Sequence, residues 1–495
     1  MRGSSNMSGK ATSVLAPQAD RTSSLIAATR EDGLGARLLA MANAKTLADR
    51  LGYRFGFTWN SHTVSNQESH IVDVVRNVFS SEFVDKHWLG DEIRASRFGV
   101  LGNAAFTPSE LQSIAGRRRL RGWICNDFNV LDFFREAGAE PLRRSETLSG
   151  FDFSPSVRQA LDAATRCRFP GPMAALHLRS GDVVQGHHRR SLVFAEKVIP
   201  SVLAKAIVSE LSSQGLRTLL IGQDRATLNF LKAETGALLS TDFGADDFKS
   251  ETANTFFEMA LMARCRKICA GGSIYAVVAS VMGDTPCVDA SALFGKSRAA
   301  EIVLEELGKH QAHYHPLEAA FGYQWAFLSL EGEISPAPAR EILEKAQALD
   351  PENDAYPMKI AGTFFREGNH AAGEAILKSM MTSQSRRRSK IPLPVMDLMR
   401  RVANDRMSAK SDIEALFAAA EAGYPYAMAC CAFLLAEVIA DTKSGLKMAA
   451  RLVDAEPGNP IFRRIRRRVA LGKKPERRGL ARAIWWLGRF KRPWL

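Results

Sequence analysis

Long apolar runs, paired cysteines and an even spread of charge are all missing from this 495-residue chain, and each absence removes a class of protein. No stretch approaches the roughly 18 consecutive apolar residues of a membrane-spanning helix. Residues 1–30 are rich in Ser, Thr and Ala and hold no apolar core of a secretory signal, so they read as a flexible leader, with a tag remnant before Met7 as one account of MRGSSN. The seven cysteines (Cys125, Cys167, Cys265, Cys269, Cys287, Cys430, Cys431) are odd in number and lack C-x-x-C spacing. Neither a zinc site nor a disulfide framework is readable, and a reducing, cytoplasmic compartment is expected. Cys265 and Cys269 are expected to share a helix face in the core. From Phe462 onward thirteen Lys/Arg face the single acid Glu476, so +12 of the net +13 belongs to the end of the chain. A nearly neutral body offers no extended basic track, which argues against a nucleic-acid partner.

What the chain does have is alternation. In DGLGARLLAMANAKTLADRLGYRFGFTW (32–59) a glycine turn precedes apolar residues at helical spacing, Gly52 stops the helix, and a strand-like run follows. FSPSVRQALDAATR (153–166) reads as a capped helix before a CRFPGP seam. Beyond it come a strand over 174–178, a polar loop, a helix over 195–213, a strand over 218–222, helices over 225–235 and 252–265, a strand over 267–271, a helix over 273–282 and a strand over 285–290. Strands alternating with helices predict parallel, doubly wound sheets, with ligands at the carboxyl ends of the strands. From about residue 310 the strand pattern stops. AREILEKAQALDPENDAYPMKIAGTFFREGN has the order of a tetratricopeptide-like hairpin, and ARLVDAEPGNP repeats its boundary about three periods later; a non-repetitive helical domain remains the other reading.

Two stretches carry chemistry. LHLRSGD (176–182) runs a buried strand into a turn and delivers His177, Arg179 and Asp182 to its end. One reading is a structural Arg179–Asp182 ion pair. The other is a phosphate site, because an arginine fork matches phosphate bidentately and GGSIYA (271–276) opens a second helix whose N-terminus favours a diphosphate. Asp246-Asp247, His187-His188 and His310, His313, His315 lack consistent ligand spacing, so no metal site is predicted.

The blocks GLGARLLAMANAKTLADRLG, HLRSGD and FFEMALMARCRKICAGGSIYAVVAS resemble, in order and rough spacing, those of the fucosyltransferase superfamily with H-x-R-x-G-D motifs, over about residues 30–295. Its members include bacterial α1,2- and nodulation-factor α1,6-fucosyltransferases and protein O-fucosyltransferases. The resemblance implies an α/β protein of GT-B type: two Rossmann-like lobes with a cleft between them, here followed by an all-α C-terminal domain. The implied boundaries are 31–165 for the first lobe, 166–305 for the donor lobe and 306–475 for the helical domain, with a basic amphipathic tail over 476–495. It further implies Arg179 as the catalytic cation on the β-phosphate. His177, Asp182, Ser273, Tyr275, Asp224, Gly33, Gly35 and Arg37 are implied at the donor site, and neither a cofactor nor a metal accompanies the GDP-sugar donor. The chain departs from the pattern at Ser180, where many relatives carry a second arginine, at Ala36, where most have asparagine, and at His187, where core-fucosylating relatives place a glutamate. The general base is thereby left open.

The expected activity is inverting fucosyl transfer from GDP-fucose to a glycan or lipid-linked saccharide. The rival is a non-catalytic nucleotide-sugar-binding scaffold that recruits a protein through its helical repeats. RRGLARAIWWLGRFKRPWL (477–495) gathers Leu480, Ala483, Ile484, Leu487, Phe490 and Trp494 on one helical side and arginines on the other, which predicts peripheral docking on an anionic membrane face.

Overall fold

Short apolar segments become the strands of two separate parallel sheets. The computed structural model describes residues 24–61, 72–102, 104–136, 142–386, 394–395, 407–439 and 441–471, so the 476–495 tail lies outside the described residues. The first sheet has the order β2-β1-β4-β3, from β1 (Leu25–Ala28), β2 (Arg54–Phe57), β3 (Phe98–Leu101) and β4 (Gly122–Cys125). The second has the order β7-β6-β5-β8-β9, from β5 (Met173–Leu178), β6 (Arg217–Gly222), β7 (Leu238–Leu239), β8 (Lys267–Cys269) and β9 (Cys287–Val288). All pairings in both sheets are parallel. Counted from β5, the second sheet is 3-2-1-4-5, and its order reverses between β5 and β8.

Parallel neighbours need crossovers, which helices provide. In the first lobe these are α1 (Leu34–Leu51) and α2 (Pro108–Arg118), and α3 (Pro155–Arg166) leads out of it. In the second lobe they are α4 (Ala204–Ser213), α5 (Arg225–Thr235), α6 (Glu251–Ala263) and α7 (Ile274–Gly283). The helix ends follow local chemistry. Gly52 closes α1 in the left-handed region at φ 66°, Thr107 and Glu110 form a capping box on α2, and Ser154 caps α3 ahead of Pro155. The GT-B type architecture of two parallel α/β lobes is therefore present.

After α8 (Lys296–His310) the described residues contain only helices: α9 (Pro316–Leu330), α10 (Pro336–Leu349), α11 (Ala355–Arg366), α12 (His370–Arg386), α13 (Met407–Glu421), α14 (Pro425–Phe433), α15 (Thr442–Ala455) and α16 (Pro460–Ala470). Their burial corrects the expected boundary near 305. Strand alternation sends Ala174, Leu176 and Leu178 of β5 to one face of the sheet, where they share a core with Val303 and Leu307 of α8, Phe327 of α9, Leu343 of α10 and Tyr356 of α11. Met173 and Ala175 face the other way, into a core shared with the first lobe. A separate helical core takes over only from Met358 and Phe365 onward. Helices α8–α11 are one wall of the second lobe.

Three further corrections follow. Residues 24–30 do not belong to a flexible leader, because Leu25–Ala28 is a central strand of the first sheet; four residues are too few to show a period. The helix expected over 195–213 is interrupted, with single turns at Leu192–Lys197 and Ser201–Leu203 before α4, since Pro200 lacks an N–H to continue the ladder. Cys269 sits in β8 rather than on a helix with Cys265, although both are buried; burial pushes their thiols up to about 11 and about 12.

Candidate functional site

Strand β5 is buried on both faces and hands the chain to the carboxyl edge of the sheet at Leu178. Because strand order reverses between β5 and β8, the segments leaving these two strands diverge to opposite faces and open a crevice between them. Arg179 and Ser180 leave β5 there, and Gly271, Gly272 and Ser273 leave β8.

The motif loop is tightly built. It forms a π-helical turn over Gly181–Gln185, closed by Val184 N donating to Ser180 O at 2.7 Å and Gly186 N to Gly181 O at 2.8 Å. From the end of β6, Gln223 Oε1 accepts the Gly181 N–H at 2.8 Å. Arg179 is half-buried at the start of this turn. Asp182 contributes its backbone to the turn, and its side chain lies outside the described part of the structure.

His177 lies on the β5 face that also carries Met173 and Ala175, and its ring stacks on Tyr275 at 5.2 Å and 27°. Burial, helped by the Arg179 charge, lowers its pKa to about 4, so the imidazole is neutral at neutral pH. Its Nδ1 is buried without a protein partner. The Tyr275 hydroxyl turns away from the crevice, donating to Thr255 O at 3.1 Å and Glu258 Oε2 at 3.2 Å. It thereby pins the first turn of α7 to α6. Glu258 is raised by burial and held by the Ser240 hydroxyl at 2.6 Å.

Ser273 is the buried N-cap of α7, yet its side chain makes no capping bond, so it claims none of the N–H groups in the first turn. The positive end of α7 thus points at the same edge as Arg179. A Cβ at Gly271 would stand 2.7 Å from the Lys197 carbonyl, which explains glycine in this loop. Asp224 has a different task. It caps α5, accepting from Ala226 N at 3.1 Å and Thr227 Oγ1 at 2.7 Å.

The first lobe reaches this crevice through α1. A Cβ at Gly35 would lie 3.3 Å from Val278 Cγ2 and 3.4 Å from Ile274 O, so α1 and α7 meet at backbone distance; Gly33 is the N-cap of α1. Arg37 is buried with its Nε and Nη2 donating at 2.6 Å to Asp32 O and Glu31 O, and it lies over Trp59. It shapes the loop after β1. That loop borders a cavity of about 700 Å³ at the carboxyl edge of the first sheet, lined by Thr29, Arg30, Asp32, Asp91, Glu92 and Asn126 among others. The sheet order sets β1 beside β4, and Asn126 Oδ1 bridges the two by accepting from Thr29 N at 2.9 Å.

Of the residues singled out in the sequence, Arg179, His177, Ser273 and Tyr275 gather at one crevice, and Gly35 brings α1 against it. Asp224 and Arg37 are engaged in local structure. Two contributors escaped sequence reasoning: Gln223 and Glu318. Glu318, on α9, is 2% exposed and accepts from the Ser201 hydroxyl at 2.8 Å. Burial raises its pKa to about 7, hydrogen bonds from Ser180 and Ser201 oppose the rise, and the Asp224 charge adds to it. Its signal was a lone carboxylate in PLEAAFGYQWAFLSL, otherwise without charge.

No protein-family model and no curated protein matches this chain. Among solved structures, the fucosyltransferase NodZ from Bradyrhizobium is similar at 12% identity and a TM-score of 0.32, over 54% of this chain and 96% of that one. POFUT1 in complex with GDP-fucose is similar at 10% identity and a TM-score of 0.30, over 54% and 98%.

Proposed function

We propose that this chain is a glycosyltransferase that moves fucose from GDP-fucose to a hydroxyl of a glycan or lipid-linked saccharide, with inversion. The observation that supports the reading most is the shared position of Arg179 and the α7 N-terminus, at the ends of β5 and β8 where the strand order reverses. In the reaction the bond between the sugar anomeric carbon and the β-phosphate oxygen breaks, and GDP leaves with the electron pair. The acceptor oxygen forms the new bond from the opposite face and loses its proton. Positive charge grows on the sugar and negative charge on the β-phosphate. Arg179 and the helix dipole oppose that negative charge more strongly in the transition state than in the ground state. The first-lobe cavity would hold the acceptor. Choice of fucose, and of GDP over other diphosphates, rests on the resemblance of the HLRSGD and GGSIYA blocks.

The test is incubation with a panel of GDP- and UDP-sugars, following slow hydrolysis of the donor. GDP-fucose should be consumed preferentially. Binding of GDP without turnover of any donor would instead favour the scaffold reading.

A further inference from the structure

The last two helices present a basic surface that the donor crevice does not use. In α16 the apolar residues Ile461, Phe462, Ile465 and Val469 are all buried in the helical core, while Arg463, Arg464, Arg466 and Arg467 are exposed. On α15, packed beside it, Gly445, Met448, Ala449 and Leu452 face that core. Lys443, Lys447 and Arg451, spaced i, i+4 and i+8, form an exposed stripe on the other side. Arg468, the exception, is turned inward, pairing with Glu437 and lying over Phe433, which locks α16 in place. Lys443, Lys447, Arg451, Arg463, Arg466 and Arg467 pair with no carboxylate among the described residues. The nearby acids are Asp454 and Glu456 at the far end of the hairpin and Asp441, whose carboxylate caps α15 by accepting from Ser444 N at 3.0 Å.

We propose that the outer face of the α15–α16 hairpin docks on an anionic phospholipid surface. Burial of Ile461, Phe462, Ile465 and Val469 excludes insertion of this helix, so the hairpin would act through charge alone, each cation adding favourably near an anionic leaflet. Phospholipid is favoured over a nucleic acid by what the chain supplies next: residues 472–495 add eight Lys/Arg together with Ile484, Trp485, Trp486, Leu487, Phe490 and Trp494, the amphipathic mixture suited to a headgroup boundary. The rigid hairpin would set the orientation of the protein on that surface.

The test is co-sedimentation of the full chain with phosphatidylcholine vesicles, with and without about 30% phosphatidylglycerol, at about 50 mM and about 500 mM salt. Wild type should sediment only with anionic vesicles at low salt. Neutralising the hairpin (K443Q, K447Q, R451Q, R463Q, R466Q, R467Q) should weaken binding at least tenfold, an order-of-magnitude expectation for six surface charges. Exchanging the four arginines among these positions for lysine should leave binding intact, and matched melting curves would exclude misfolding. Unchanged binding by the neutralised variant, no binding by wild type, or tighter retention of a homopolymeric RNA at the same salt would overturn the proposal.

Discussion

The two sheets end in crevices of opposite chemistry. The first lies beside β1 and β4, neighbours in the order β2-β1-β4-β3, and the second opens between β5 and β8, where strand order reverses. The first is lined by Glu31, Asp32, Asp91 and Glu92, with Arg30 already tied to Asp32 at 2.7 Å. The second offers Arg179 and the positive end of α7. On the proposed reading a diphosphate is repelled by the first and attracted by the second, so two parallel sheets make two places for ligands and charge assigns them. The lobes also differ in support. The second crevice is backed by α8–α11, whose side chains complete the core under β5.

That difference in support gives the largest expected effect. Ending the chain near residue 305 would strip Phe327, Leu343 and Tyr356 from the face of β5 and leave Leu176 and Leu178 open to water. Each lost large side chain costs about 2–5 kcal/mol, so several together exceed the total stability of a typical domain. Such a truncation is expected to yield no soluble protein, measured by expression and size exclusion, whereas one ending near residue 471 should be soluble. A soluble, GDP-binding protein ending at 305 would show that the second lobe does not need its helical wall.

Next is Arg179. R179A should lower donor turnover about a hundredfold or more, as for other groups aimed at developing charge, and R179K should recover little because the fork is lost. Steady-state hydrolysis of GDP-fucose is the measurement. Equal rates in all three proteins would break the assignment of the positive crevice to the leaving group.

The parts legible in sequence were those with a local cause. The GLG turn, the capped helix at Ser154 and Pro155, and the HLRSGD strand end each announce themselves within a few residues. β1 did not, because a four-residue strand buried on both faces has no period to read. The union of α8–α11 with the second lobe was also hidden, since an apolar helix stripe does not say which sheet it will meet. Glu318 illustrates the same limit at the site: it meets Ser201 across 117 positions of chain, and nothing near Pro316 records that contact.

Glu318 gives a prediction in pH. Its folded pKa of about 7 lies above the ordinary 4.5, so the folded state holds the proton longer than the unfolded state. Stability from this group is full below about pH 4.5, declines as pH rises toward about 7, and is level above, a change on the order of 3 kcal/mol. His177 has the opposite sign, since lowering from 6.5 to about 4 removes stability as pH falls through that window. The comparison of wild type with E318Q isolates the carboxyl. Urea midpoints should fall from pH 5 to 7 more steeply in wild type than in E318Q, and parallel curves would mean that Glu318 is ionised in the fold. Ionisation also places a negative charge under Ser180, so GDP affinity should decline above pH 7 more in wild type than in E318Q.

The smallest expected effect addresses the first crevice. If its carboxylates face the acceptor, they disfavour acceptors that carry a uronic acid or phosphate and favour neutral or amino sugars. Asp91 and Glu92 are exposed, so solvent screening limits each to a fraction of a kcal/mol, together about a fivefold preference. The double variant D91N/E92Q should leave donor hydrolysis within about twofold of wild type, because both residues line the first-lobe cavity. It should, however, erase most of the difference in kcat/KM between matched neutral and acidic oligosaccharide acceptors. The signature is a change in KM confined to the charged acceptor, strongest at low salt, where surface charges are least screened. If the ratio is unchanged at low salt, the acidic crevice does not meet the acceptor, and opposite charge in the two lobes serves only to exclude the diphosphate from the wrong one.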